Sequence, residues 1–152
     1  MDEIFMKEAL LEASKAYEIM EIPIGAVMVR NGIIIGRGHN LKETMKDATL
    51  HAEIIAIKEA CNYLGGWRLP GCTMYVTLEP CAMCAGALVN ARIERLVIGT
   101  RDYKTGACGS VLNIVQMDNL NHQIDVEYGV LEEECTDLLK SFFMELRKIK
   151  NN

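Results

Sequence analysis

The chain has 152 residues, enough for one domain with a substantial core of its own. Half of it is hydrophobic and 24 % charged, the balance of a globular chain rather than a disordered one. No apolar run approaches the ~18–20 residues that span a bilayer. The opening "MDEIFMKEALLEASKAY" lacks the basic start and unbroken apolar stretch of a signal peptide, so a cytoplasmic address is expected, with no membrane partner. The net charge of −5 argues against a broadly basic nucleic-acid binder, because affinity for phosphate comes from lysine and arginine.

Apolar positions Phe5, Ala9, Ala13, Ala16, Tyr17 and Met20 form a helical stripe over residues 3–20, and Pro23 stops it. "IGAVMVR" and "IIIGRGH" are β-rich runs joined by Asn31-Gly32, a strong hairpin signal. The polar stretch 40–50 leads into a helix over about 51–64, closed by Gly65-Gly66. "TMYVTL" is a short strand, and Pro80 after it suits the first turn of the next helix. "RLVIG" is a further strand, 101–113 a loop with Gly106 and Gly109, and 124–128 a weak strand. The last helix carries Leu131, Cys135, Leu138, Leu139, Phe142, Phe143 and Leu146 on one stripe. The order α-β-β-α-β-α-β-β-α predicts an α/β layered domain over 1–152. In its mixed sheet the hairpin makes an antiparallel pair and the helix crossovers make parallel ones.

Six cysteines in a reducing compartment point to metal binding or catalysis before a disulfide framework. Cys61, Cys72 and Cys135 read as small buried hydrophobes, and Cys108 lies unassigned in a Gly-rich loop. His51 opens one helix and Cys81 another, both just after a loop or strand, where α/β folds gather functional groups. Cys84 lies three residues beyond Cys81 and so on the same helix face. One histidine and two cysteines are a known zinc set. The remaining candidates, Cys72, His39, His122 and Cys108, are not spaced to complete a structural finger, so an open site with a position for water is expected. The helix N-terminus at Cys81 favours thiolates there. Glu53, two residues from His51, is placed to serve as general acid and base.

These residues form the H-x-E…P-C-x-x-C pattern of zinc nucleobase deaminases. Within that class the chain resembles the bacterial tRNA-specific adenosine deaminases, which convert the anticodon wobble adenosine to inosine. "IPIGAVMVRNG", "GHN", "HAEIIAI", "GWRLPGCTMYVTLEPCAMCAGALVNARI", "RDYKTGACGS" and "LLKSFF" carry the resemblance over nearly the whole chain. It implies a three-layer cytidine-deaminase-like fold with a five-stranded mixed sheet, and one Zn²⁺ per chain on His51, Cys81 and Cys84. It also implies Glu53 as the proton shuttle, Asn40 against the flipped base, and Asp102 and Lys104 near the backbone of a tRNA anticodon stem-loop. The family's homodimer, with each site bordered by the partner, is implied with them. The chain departs from the family at "DATLHAE": Ala48 and Leu50 replace the usual proline and alanine before the histidine, which bears on pocket shape.

Two local basic surpluses could grip RNA or could be solvated faces. Arg92, Arg95, Arg101 and Lys104 against Glu94 and Asp102 leave +2, and Lys140, Arg147, Lys148 and Lys150 against Glu145 leave +3. Trp67 could stack on a base or pack in its loop. Two other readings stay open on the residues alone. A deaminase of a free base or nucleoside needs no basic surface. A structural zinc or redox module needs a fourth protein ligand and no water.

Overall fold

A computed structural model describes residues 1–151. The elements follow the expected order: α1 (Asp2–Glu18), β1 (Gly25–Arg30), β2 (Ile33–His39), α2 (Ala52–Leu64), β3 (Thr73–Leu78), α3 (Ala82–Ala91), β4 (Arg95–Thr100), β5 (Asp125–Tyr128) and α4 (Glu132–Lys150). They build a five-stranded mixed sheet in the order β2-β1-β3-β4-β5. β1 pairs antiparallel with both β2 and β3, while β3–β4 and β4–β5 are parallel. Asn31 and Gly32 both have positive φ (52° and 75°), the backbone of the tight turn that matches strand twist.

The three central strands alternate their side chains between two cores, as the two-residue period of a strand requires. Met28, Met74 and Leu96 face one core with Ala52, Ala56 and Leu88, under α2 and α3. Val29, Tyr75 and Val97 face the other with Met6, Ala9 and Cys135, under α1 and α4. The result is a layer of helices on each face of the sheet. β2 lies almost directly on α2, because a Cβ on Gly36 or Gly38 would run into the carbonyl oxygens of Ala56 and Ala52. That close approach fixes the start of α2 against the end of the hairpin.

Three expectations need correction. α1 ends at Glu18, before Pro23 can act, since Met20 has already turned to φ 60°. α2 and α3 begin one residue after His51 and Cys81, which cap them. The stripe on α4 is only partly a core face: Cys135 and Phe142 are buried, Phe143 stays 40 % exposed, and Leu131 is the left-handed residue before the helix. Among the described residues no helix is long and apolar enough to cross a membrane.

Candidate metal-centred active site

His51 and Cys81 are both in extended conformation immediately before a helix (φ −76°, ψ 156° and φ −73°, ψ 178°). Each therefore projects its side chain at a helix N-terminus, where the peptide dipoles favour a thiolate. The Cys81 carbonyl accepts from Ala85 N at 2.8 Å, which starts α3 and puts Cys84 on its first turn. His51 Nδ1 lies 3.6 Å from Cys81 Sγ and 3.5 Å from Cys84 Sγ, and the three donor atoms are all within 4.8 Å of one another. A tetrahedral ion with bonds of about 2.3 Å to sulfur and about 2.05 Å to nitrogen separates those donors by about 3.5 Å. The donor set and its spacing fit such an ion.

Among the described residues no fourth histidine, cysteine or carboxylate joins this group. The alternatives are engaged elsewhere. His39 Nδ1 pairs with Glu12 at 3.1 Å, His122 Nε2 with the Ile93 carbonyl at 2.7 Å, and the buried Cys72 thiol with the Pro70 carbonyl at 3.7 Å. Cys108 is buried with its thiol toward the Pro80 carbonyl. Three protein donors are the ligand count of a water-activating centre, which keeps its fourth position for water.

The charges are poised by proximity. A hydrogen bond from Cys84 holds the Cys81 thiol down to about 5, against the opposing effect of burial. The same bond, with burial, pushes the Cys84 thiol upward. Glu53, 3 % exposed on the first turn of α2, is raised to about 7 by burial, with a hydrogen bond to Cys84 working the other way.

His51 and Cys81 open onto a cavity of about 720 Å³, with Asn40, Asp102 and Lys104 also on its wall. The structure thus brings every sequence-predicted site residue to one place, with Glu53 and Cys84 buried behind the floor. Asn40 Nδ2 donates to the Ile22 carbonyl (3.3 Å) and its Oδ1 accepts from Lys42 N (3.1 Å). That leaves one amide hydrogen and one lone pair for a ligand. The Asp102 carboxylate turns into its own loop and accepts from Lys104 N, Thr105 N and Thr105 Oγ1 at 3.0, 3.1 and 2.8 Å. Burial alone would raise its pKa, but these donors hold it below the usual carboxylate value. Lys104 is exposed. Leu50 does not line the cavity; Ala52 does. Trp67 lies away from it, its ring covered by the Arg68 guanidinium at 4.1 Å.

Two buried carboxylates that sequence reasoning passed over pin the cavity's walls. Glu21 accepts from Glu43 N (3.1 Å) and Thr44 N (2.6 Å) and fixes the 40–50 loop. Glu79 accepts from Asp102 N, Cys108 N and Ser110 N at 3.1, 3.0 and 3.1 Å, and from Ser110 Oγ, and fixes the 101–110 loop. The signal for Glu79 was its place directly before Pro80-Cys81, at a strand end where a buried charge must collect donors. Glu79→Ala should orphan several buried donors and destabilise the fold by about 2–4 kcal/mol, with Glu79→Gln in between. Thermal unfolding would measure it, and an unchanged midpoint in the alanine variant would remove the anchor role.

A histidine and two cysteines at helix starts, a buried glutamate beside them and a layered mixed sheet are together the signature of nucleobase deaminases. Comparison agrees, since residues 1–147 match the family model described as MafB19-like deaminase. Within that class the chain belongs to the family of the tRNA-specific adenosine deaminases. It is 56 % identical over 149 residues to the enzyme of that name from Bacillus subtilis (strain 168), covering 98 % of this chain and 92 % of the relative. It is 50 % identical over 150 residues to the one from Aquifex aeolicus (strain VF5), covering 99 % and 97 %. A solved structure, from work on A-to-I editing by tRNA:A34 deaminases at the wobble position, superposes with TM-score 0.85 at 46 % identity. That match covers 88 % of this chain and 97 % of the other. A guanine deaminase from Nitrosomonas europaea superposes with TM-score 0.80 at 24 % identity, over 92 % of this chain and 83 % of the other, and shares the fold.

Proposed function

We propose that this protein hydrolyses the exocyclic amine of adenosine at the wobble position of a tRNA anticodon, giving inosine and ammonia. It does so as one zinc-dependent deaminase domain over 1–152. The observation that carries the reading is the His51–Cys81–Cys84 triad, backed by buried Glu53, at the floor of a pinned-walled cavity in a chain of this family.

The chemistry follows from the residues. An anticodon-loop base is already poorly stacked, so flipping it into the cavity costs only a few kcal/mol. Asn40 presents its free amide hydrogen and lone pair to the base edge. His51, Cys81 and Cys84 would hold zinc, which when bound acidifies water to a nucleophile near neutral pH. Glu53 takes the proton released from the water and places it on N1 as the new C–O bond forms at C6. It then carries the hydroxyl proton to the amino group, the C–N bond breaks, and ammonia leaves.

A basic rim beside the cavity supports an RNA substrate. Arg101 borders both the active-site cavity and a neighbouring one of about 580 Å³ that Lys140 and Arg147 line. Lys148 and Lys150 follow on the exposed last turn of α4. A homodimer and a cytoplasmic location belong to the same reading. Exposed Val111, Leu112, Met117 and Leu120 offer apolar surface for a second copy.

The test is deamination of an anticodon stem-loop RNA with a wobble adenosine by zinc-loaded protein, beside free adenosine, cytosine and guanine. Inosine in the RNA alone is expected. Turnover of a free base only would move the protein to another substrate. With Lys104, Arg147, Lys148 and Lys150 on phosphates, log kcat/KM should fall with log salt at a slope of about −3, from ~0.7 per single-strand contact. A flat response means that these cations do not touch the RNA.

A further inference from the structure

Tyr103 lies on the cavity wall between Asp102 and Lys104 and holds its ring out to solvent, 77 % exposed. The backbone beneath it, by contrast, is tightly held. Asp102 N is bound to Glu79, Lys104 N and Thr105 N are bound to the Asp102 carboxylate, and Gly106 N closes the turn on the Asp102 carbonyl at 2.9 Å. An aromatic ring on a fixed loop loses little entropy on binding, because only its own two torsions must be restrained. Lys104 beside it offers a cation for the adjoining phosphate, and Phe143, 40 % exposed, adds apolar surface to the same cavity.

On the reading that the substrate is an anticodon loop, we propose that Tyr103 is a stacking platform for the nucleobase next to the deaminated adenosine. The adenosine must leave the stack to reach the cavity floor, and that strips its neighbour of a stacking partner. Tyr103 stands at the rim where that neighbour emerges and replaces the lost face with its ring. It is a positioning residue: it holds the RNA in register and takes no part in proton transfer. Stacking requires the ring and not the hydroxyl, so phenylalanine serves equally.

The experiment compares wild type, Tyr103→Phe and Tyr103→Ala, all zinc-loaded, on the stem-loop RNA and on two RNAs abasic at the 5′ or the 3′ neighbour of the target. On the intact RNA, Tyr103→Ala should raise KM roughly tenfold with kcat and zinc content held, and Tyr103→Phe should match wild type. On one of the two abasic RNAs wild type and Tyr103→Ala should become equal, which identifies the stacked base. A KM penalty for Tyr103→Ala that persists on both abasic RNAs, or none on intact RNA, overturns the platform. Failure of wild type to deaminate the intact RNA would instead overturn the proposed function.

Discussion

Glu53→Ala is expected to retain one metal ion per chain and to lose turnover by on the order of 10²–10⁴-fold or more. Glu53 is not among the three atoms that gather for the ion, so its removal leaves the ligand set intact. Its carboxyl is buried beside Cys81 and Cys84. A carboxyl group 3 % exposed on the first turn of α2 carries a desolvation penalty that alanine at the same place would not. Stability should therefore hold or rise in the variant, the opposite of what removing a structural residue does. Glu53→Gln, with the shape kept and the proton shuttle lost, should be as inactive as the alanine variant. Metal content by atomic absorption, unfolding midpoint and inosine formation are read on the same preparation. Normal rates in either variant would take Glu53 out of the mechanism, and metal loss would make it a ligand.

What the sequence reveals and what it withholds divide along local and tertiary lines. Asn31-Gly32, Gly65 and Pro80 act through their own backbone preferences, so the hairpin, the end of α2 and the start of α3 are legible at once. The cluster of His51 with the Cys81–Cys84 pair is legible too, because each half carries its geometry in short-range spacing. Glu21 and Glu79 were not, since their meaning lies in loops more than twenty residues away, whose amides they collect. Phe143 shows the same limit from the other side. Helical periodicity assigns it to a core, yet α4 rolls it toward the active-site cavity instead. An apolar stripe records that a face must be covered, and leaves open whether protein or ligand covers it. Asp102 lies on the cavity wall as the resemblance implies for a residue near RNA, and its carboxylate shapes the loop that carries Tyr103 and Lys104, which spacing alone does not reveal.

Cys84→Ala should abolish metal binding and, through it, the stability that the metal contributes. Cys84 is fully buried, its Sγ 3.5 Å from His51 Nδ1, and its loss leaves two protein donors where a catalytic zinc site needs three. A ligand that binds only the folded state stabilises it by mass action, so the wild-type midpoint should fall on chelation. The variant's should not respond to chelator at all and should lie near that of stripped wild type. It should still unfold cooperatively, because the cores on the two faces of the sheet are built from Met28, Met74, Leu96, Val27 and Val97 without help from the ion. This separates the site from a zinc finger, where removing metal removes the fold. Cys72→Ala supplies the control: an equally buried thiol, bonded to the Pro70 carbonyl, whose loss should leave metal content at one per chain. A full equivalent of metal in Cys84→Ala, or an unfolded apo wild type, would mean that the ion is held or used differently from what these three side chains imply.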